Sequence, residues 1–142
     1  MNWVIDASAG VKFYVPEDLT EAAKRLFQGL DEGEISLFVP DLFYRECANI
    51  FWKYVRRFGL QVDYARRSLR NLISLPLTLI PGTDLLPTAL DLALDYEITA
   101  YDASYVALAH DLRLPLVTAD RKLLRKLAGS GTDIRWLGDL SL

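Results

Sequence analysis

Apolar positions return along the chain in two rhythms. Short runs of branched and aromatic residues alternate with longer stretches in which apolar side chains recur every three or four positions. The runs NWVID, ISLFV, LTLIP, LPLVTAD and DIRWL predict strands. TEAAKRLFQGLDEGE places Ala22, Leu26 and Leu30 at helical spacing and is expected to close at Gly33. Beyond Pro40, Asp41 stands as the expected N-cap of a long helix, LFYRECANIFWKYVRRF, ended by Gly59. VDYARRSLRNLISL predicts a helix that stops before Pro76, and TDLLPTALDLALDYE another that tolerates Pro87 in its first turn. ITAYDASYVALAHDL and RKLLRKLAG supply the remaining helices. Strands alternating with helices in this order describe an α/β architecture with a mainly parallel sheet. Neither a linker nor a repeat divides the chain, so residues 1–142 read as one domain.

Acids fall at particular points of this pattern. Asp6 follows the first strand, Asp120 follows LPLVTA, and Asp102 opens a helix of otherwise small and apolar residues. In open parallel sheets ligands gather beyond the carboxyl ends of the strands, which is where these acids are expected. In the long helix Phe43, Cys47, Ile50, Phe51, Tyr54 and Phe58 form an apolar stripe at about 100° per residue. Glu46 lies on the margin of that stripe, with Asn49 and Lys53 on the same side. Each acid has a duller explanation: Asp6, Asp102 and Asp120 as caps, Glu46 as a solvated helix residue. Capping alone does not explain why four separate segments deliver carboxylates to one edge.

Composition narrows the chemistry. With 51% hydrophobic and 25% charged residues, the chain has the balance of a compact globule. One cysteine, Cys47, and one histidine, His110, leave no disulfide framework and too few ligands for a zinc site. A metal would have to be held by oxygen, which points to Mg²⁺ or Mn²⁺. The net charge of -3 does not advertise nucleic-acid binding, although a bound divalent ion reverses the local field. No apolar run reaches the ~18 residues of a membrane span, and no leader pattern opens the sequence. A cytoplasmic location without membrane contact is expected.

VIDAS near the start, RECANI in the first half, AYDASYVALA in the third quarter and LVTAD near the end together resemble the four acidic motifs of the PIN domain. Their order and spacing are similar to those of the VapC-type ribonuclease toxins of toxin–antitoxin pairs, over essentially the whole chain. The resemblance implies a PIN-like three-layer fold, with a mainly parallel central sheet flanked by helices. It implies that Asp6, Glu46, Asp102 and Asp120 are the catalytic, metal-ligating acids, accompanied by the polar residues Ser8, Asn49 and Thr118. It further implies an Mg²⁺- or Mn²⁺-dependent endoribonuclease that hydrolyses RNA by metal-activated water and leaves a 5′-phosphate and a 3′-hydroxyl. A cognate antitoxin and a homodimeric state go with that family. The basic stretch RKLLRK after Asp120 is a point at which the family varies.

Alternatives differ in chemistry. A haloacid-dehalogenase-type phosphotransferase wants a second acid two residues beyond the first, where this chain has Ser8. A flap-endonuclease-like DNA enzyme would need a clamping domain that 142 residues do not provide. A PIN-like domain that binds RNA or protein without cutting is the remaining alternative. Lys53, Arg56, Arg57, Arg66, Arg67 and Arg70 gather on two successive helices, as RNA phosphate contacts or as a solvated face. Phe51, Trp52, Tyr54, Phe58 and Tyr64 crowd the same pair, as core or as a partner surface. Cys47 reads as core, and His110, two turns from Asp102, as structural.

Overall fold

The computed structural model describes residues 1–142. Its branched runs form β1 (Asn2–Ile5), β2 (Ser36–Pro40), β3 (Thr78–Ile80), β4 (Leu116–Thr118) and β5 (Ile134–Trp136). These pair into one all-parallel sheet of order β3-β2-β1-β4-β5. Val4 of β1 faces Phe38 of β2 on one side and Leu116 of β4 on the other. Parallel strands carry their crossovers on both faces and so bury both. Accordingly Val4, Ile5, Leu37, Val39, Leu116 and Val117 have no measurable exposure.

The helices are α1 (Ala7–Val11), α2 (Thr20–Asp31), α3 (Phe43–Phe58), α4 (Val62–Ser74), α5 (Leu86–Tyr96), α6 (Ala100–Leu112) and α7 (Arg121–Lys126). A single 3-10 turn, Thr83–Leu85, leads into α5. Gly59 ends α3 in the left-handed conformation at φ 70°, which glycine adopts without penalty. The short α1 has no counterpart in the sequence pattern, because five residues are too few to show a helical period.

Strand order decides where a site can form. From β1 the chain winds outward through β2 to β3, then returns to place β4 on the other side of β1. The connections after β1 and β4 therefore diverge and open a crevice at the carboxyl ends of these two strands. Asp6 and Thr118 stand there, with the Asp6 amide donating to the Val117 carbonyl at 3.2 Å.

Two packing contacts set the walls of the crevice. α1 lies against α3 at Gly10, where a Cβ would come within 2.7 Å of the ring of fully buried Phe43. α6 crosses β1, β2 and β4 and is covered by α5. Ala103 and Ala107 of α6 meet Ala89 of α5, and these small residues let the two helices approach closely. Tyr105, Val106, Leu108 and Ala109 turn into the main core. α6 is thus apolar nearly all round because it is buried nearly all round.

Three local expectations are corrected. Asp41 does not cap α3: Leu42 occupies the cap position and no side chain caps that end. Asp102 is not the first residue of its helix but the third, and Thr99 is the cap, its hydroxyl accepting from the Asp102 amide at 3.0 Å. Phe58 leaves the apolar stripe and is 73% exposed, because α3 runs past the body that covers Phe43, Cys47 and Phe51. Cys47 is buried, and exposed His110 reaches Thr132 at 3.0 Å. No helix is long and apolar enough to cross a membrane.

Candidate active site

The carboxylates of Asp6, Glu46, Asp102 and Asp120 line one cavity of about 520 Å³. They come from four elements: the end of β1, the first turn of α3, the first turn of α6 and the loop after β4. Ser8 and Asn49 line the same cavity. Thr118 is not part of its wall but stands behind Asp6.

Asp6 is held by neutral donors alone. Its Oδ1 accepts from the Ser8 hydroxyl at 2.6 Å and, as N-cap of α1, from the Ala9 amide at 3.0 Å. Its Oδ2 accepts from the Thr118 hydroxyl. Both hydroxyl protons are committed in this way, because a carboxylate only accepts, and the same oxygens in turn accept amides, Ser8 Oγ from Ala119 and Thr118 Oγ1 from Asp120, each at 3.0 Å. The Ser8–Thr118 contact of 3.3 Å therefore carries no proton of its own. A carboxylate has about four lone-pair directions, so one on Oδ2 stays open. Burial pushes the Asp6 carboxyl up to about 6, against the pull of those hydrogen bonds, and the charge of Asp102 adds to the rise.

Asp102 is the electrostatic centre of the group. Burial, then the charge of Asp120, raises its carboxyl, against Thr99 and Lys126. Burial likewise raises Glu46; the Asp102 charge adds to the rise and Lys53 opposes it. Asp120 Oδ1 caps α7, accepting from the amides of Lys122 at 2.9 Å and Leu123 at 3.3 Å. For Asp6 and Asp120 the cap and the cavity are thus one side chain serving both.

The donor set is wholly oxygen, as hard divalent cations require. A buried carboxylate with an open lone pair and no cationic partner fits such an ion. No three of the acids are drawn into a closed cluster of donors.

Sequence patterning missed three polar residues of the wall: Arg45, Tyr101 and Tyr105. Helical arithmetic contains all three, since 45, 49 and 53 share a face of α3, and 101, 102 and 105 a face of α6. The Tyr105 hydroxyl is buried beside Glu46 but outside hydrogen-bonding geometry, and burial drives its acidity down steeply. Of the basic set expected on α3 and α4, only Lys53 lines the cavity. Arg66 is paired with Asp63 at 3.2 Å.

Residues 3–129 match the family described as PIN domain. The chain is 39% identical over 128 residues to Ribonuclease VapC3 of Pyrobaculum aerophilum, covering 89% of this chain and 95% of that one. The crystal structure of PAE2754 from the same organism superposes with a TM-score of 0.70 at 25% identity, covering 97% of this chain and 93% of the other. A toxin–antitoxin complex from Klebsiella pneumoniae has a chain of the same fold, with a TM-score of 0.63 at 18% identity over 93% of this chain and 94% of that chain.

Proposed function

Because the chain belongs to the PIN-domain family, as a homologue of the VapC ribonucleases, we propose that it is a metal-dependent endoribonuclease acting as the toxin of a toxin–antitoxin pair. The observation that carries this is the convergence of four carboxylates, from four elements, on the crevice between β1 and β4. Asp6 and Asp102 would hold Mg²⁺ or Mn²⁺, Glu46 would serve as a further ligand or orient a water, and Asp120 would act directly or through water. When bound, the ion activates water and neutralises charge building on the phosphate.

The chain's own groups prepare that chemistry. Ser8 and Thr118 fix the Asp6 carboxylate from both sides, so its open lone pair points one way without reorganisation. Asn49, Arg45 and Lys53 line the cavity with donors for phosphate oxygens. Glu46, its affinity for a proton raised by burial and by Asp102, is placed to take one from water. A cognate antitoxin and a second copy of the chain complete the proposal. Leu90 and Leu94 of α5 and Trp52 and Phe58 of α3, all more than half exposed, offer them apolar surface.

The test is cleavage of end-labelled RNA by the purified protein with Mg²⁺ or Mn²⁺ and with a chelator. Wild type is expected to cut only with metal, and Asp102→Asn to fold but lose at least ~100-fold in rate, as expected when metal-site chemistry is removed. Chelator-resistant cutting, or wild-type cutting by Asp102→Asn, overturns the proposal.

A further inference from the structure

A second, narrower cavity of about 150 Å³ adjoins the carboxylate crevice and shares Leu42 and Tyr101 with it. Pro40, Gly82, Leu86 and Leu108 make its apolar sides, and Asp41, Thr83 and Ser104 its polar ones. Tyr101 stands on the partition. Tyr101 is 64% exposed, although it immediately precedes Asp102 in a helix that is otherwise largely buried. Asp41 is the acid that pattern assigned to a helix cap; it caps nothing, and its Oδ1 lies beside Gly82 on the cavity wall. The Asp41 carboxylate accepts no hydrogen bond within the chain, whereas the Ser104 hydroxyl is spent on the Ala100 carbonyl at 2.8 Å.

We propose that this cavity is a nucleobase subsite, in which the base flanking the scissile phosphate stacks on Tyr101 and presents its Watson–Crick edge to Asp41. The proposal rests on the ribonuclease function above. Single-stranded RNA is read by splaying bases onto aromatic rings and bonding their edges. A carboxylate only accepts, so it selects an edge that donates. Guanine offers two N–H donors side by side, N1–H and the N2 amino group, which match the two oxygens of one carboxylate. Uracil and adenine offer one donor group each on that edge, beside acceptors that Asp41 repels. The shared wall sets the distance: a base on Tyr101 is one side chain away from Asp102, so its own phosphate falls in the carboxylate crevice.

Steady-state cleavage of short single-stranded RNAs, identical except for the base on each side of the cut, tests the proposal. Wild type is expected to prefer guanine at one flanking position. Tyr101→Ala should raise KM about 5- to 150-fold, the range that loss of base–aromatic stacking spans, with kcat changed far less, and Tyr101→Phe should restore it. Asp41→Asn should erase the guanine preference, read as the ratio of kcat/KM between guanine and the other bases at that position. Unchanged KM and base preference in both Tyr101→Ala and Asp41→Asn, alongside active wild type, overturns the subsite and leaves the ribonuclease standing. Absence of any metal-dependent cleavage by wild type overturns both. A Tyr101→Ala variant whose only change is oligomeric mass, by light scattering, assigns the ring to an interface between copies and overturns the subsite too.

Discussion

Replacing Asp6 by asparagine should make the metal-free protein more stable at neutral pH, and the pH dependence of that gain is set by the structure. The Asp6 carboxyl is raised from its ordinary 3.8 to about 6, chiefly because it is buried with only neutral donors. The folded chain thus holds this proton more tightly than the unfolded chain. The stabilisation from protonated Asp6 is complete below pH 4 and is lost as pH rises through about 6. At 1.36 kcal/mol per pKa unit, the interval between 3.8 and about 6 is worth about 3 kcal/mol. For a chain of this size that corresponds to roughly 6 to 12 °C in Tm. Asparagine keeps an oxygen for the Ala9 amide, but its amino group meets a hydroxyl that must then reverse, at a cost of about 1 kcal/mol. That offset is independent of pH, so the slope is the readout. Denaturant unfolding of Asp6→Asn and wild type, in chelator from pH 4 to 8, should show the difference moving in the variant's favour by about 3 kcal/mol as pH rises. Added Mg²⁺ or Mn²⁺ at pH 8 should then raise the wild type alone, since an ion that binds only the folded state stabilises it. A difference that is flat with pH, or that moves toward wild type, refutes the account of Asp6 as a buried charge without a partner.

Gly10→Ala forces a Cβ to within 2.7 Å of the Phe43 ring and pushes α1 off α3; unfolding experiments should show a loss of about 1–3 kcal/mol, with weaker metal binding because α1 carries Asp6 and α3 carries Glu46. Asp120 has two separable duties: Asp120→Asn should keep the α7 cap and the stability while lowering cleavage, whereas Asp120→Ala should lose about 1 kcal/mol besides. Charge reversal at Arg66 and Arg67 should leave the salt dependence of RNA binding unchanged, since neither lines the crevice and Arg66 is spent on Asp63; a slope shallower by about one or more would place α4 on the RNA.

What the sequence made legible follows from how far each signal reaches. Asp6 and Asp120 were found because a strand end in a parallel sheet is a local pattern with a fixed direction. Glu46 was found because a helix of sixteen residues carries enough turns to show a margin. The order of strands was not legible. Runs of three to five apolar residues hold nothing that puts β1 between β2 and β4, and the crevice exists only through that order. Asp41 misled for the opposite reason: its surroundings suit a cap, but the helix begins one residue too late for its side chain to serve. Capping a helix and lining the cavity also proved not to be rivals, since Asp6 and Asp120 do both. That overlap isolates what needs explaining. An asparagine would cap α1 as well as Asp6 does, and would accept from one of its hydroxyls, without carrying a charge into a place 4% exposed. What the acid adds is negative charge, raised in cost by Asp102 and countered by no cation of the chain. Such a charge lowers the stability of the empty fold, and the ion proposed for the cavity that Asp6 shares with Asp102 is what would offset it.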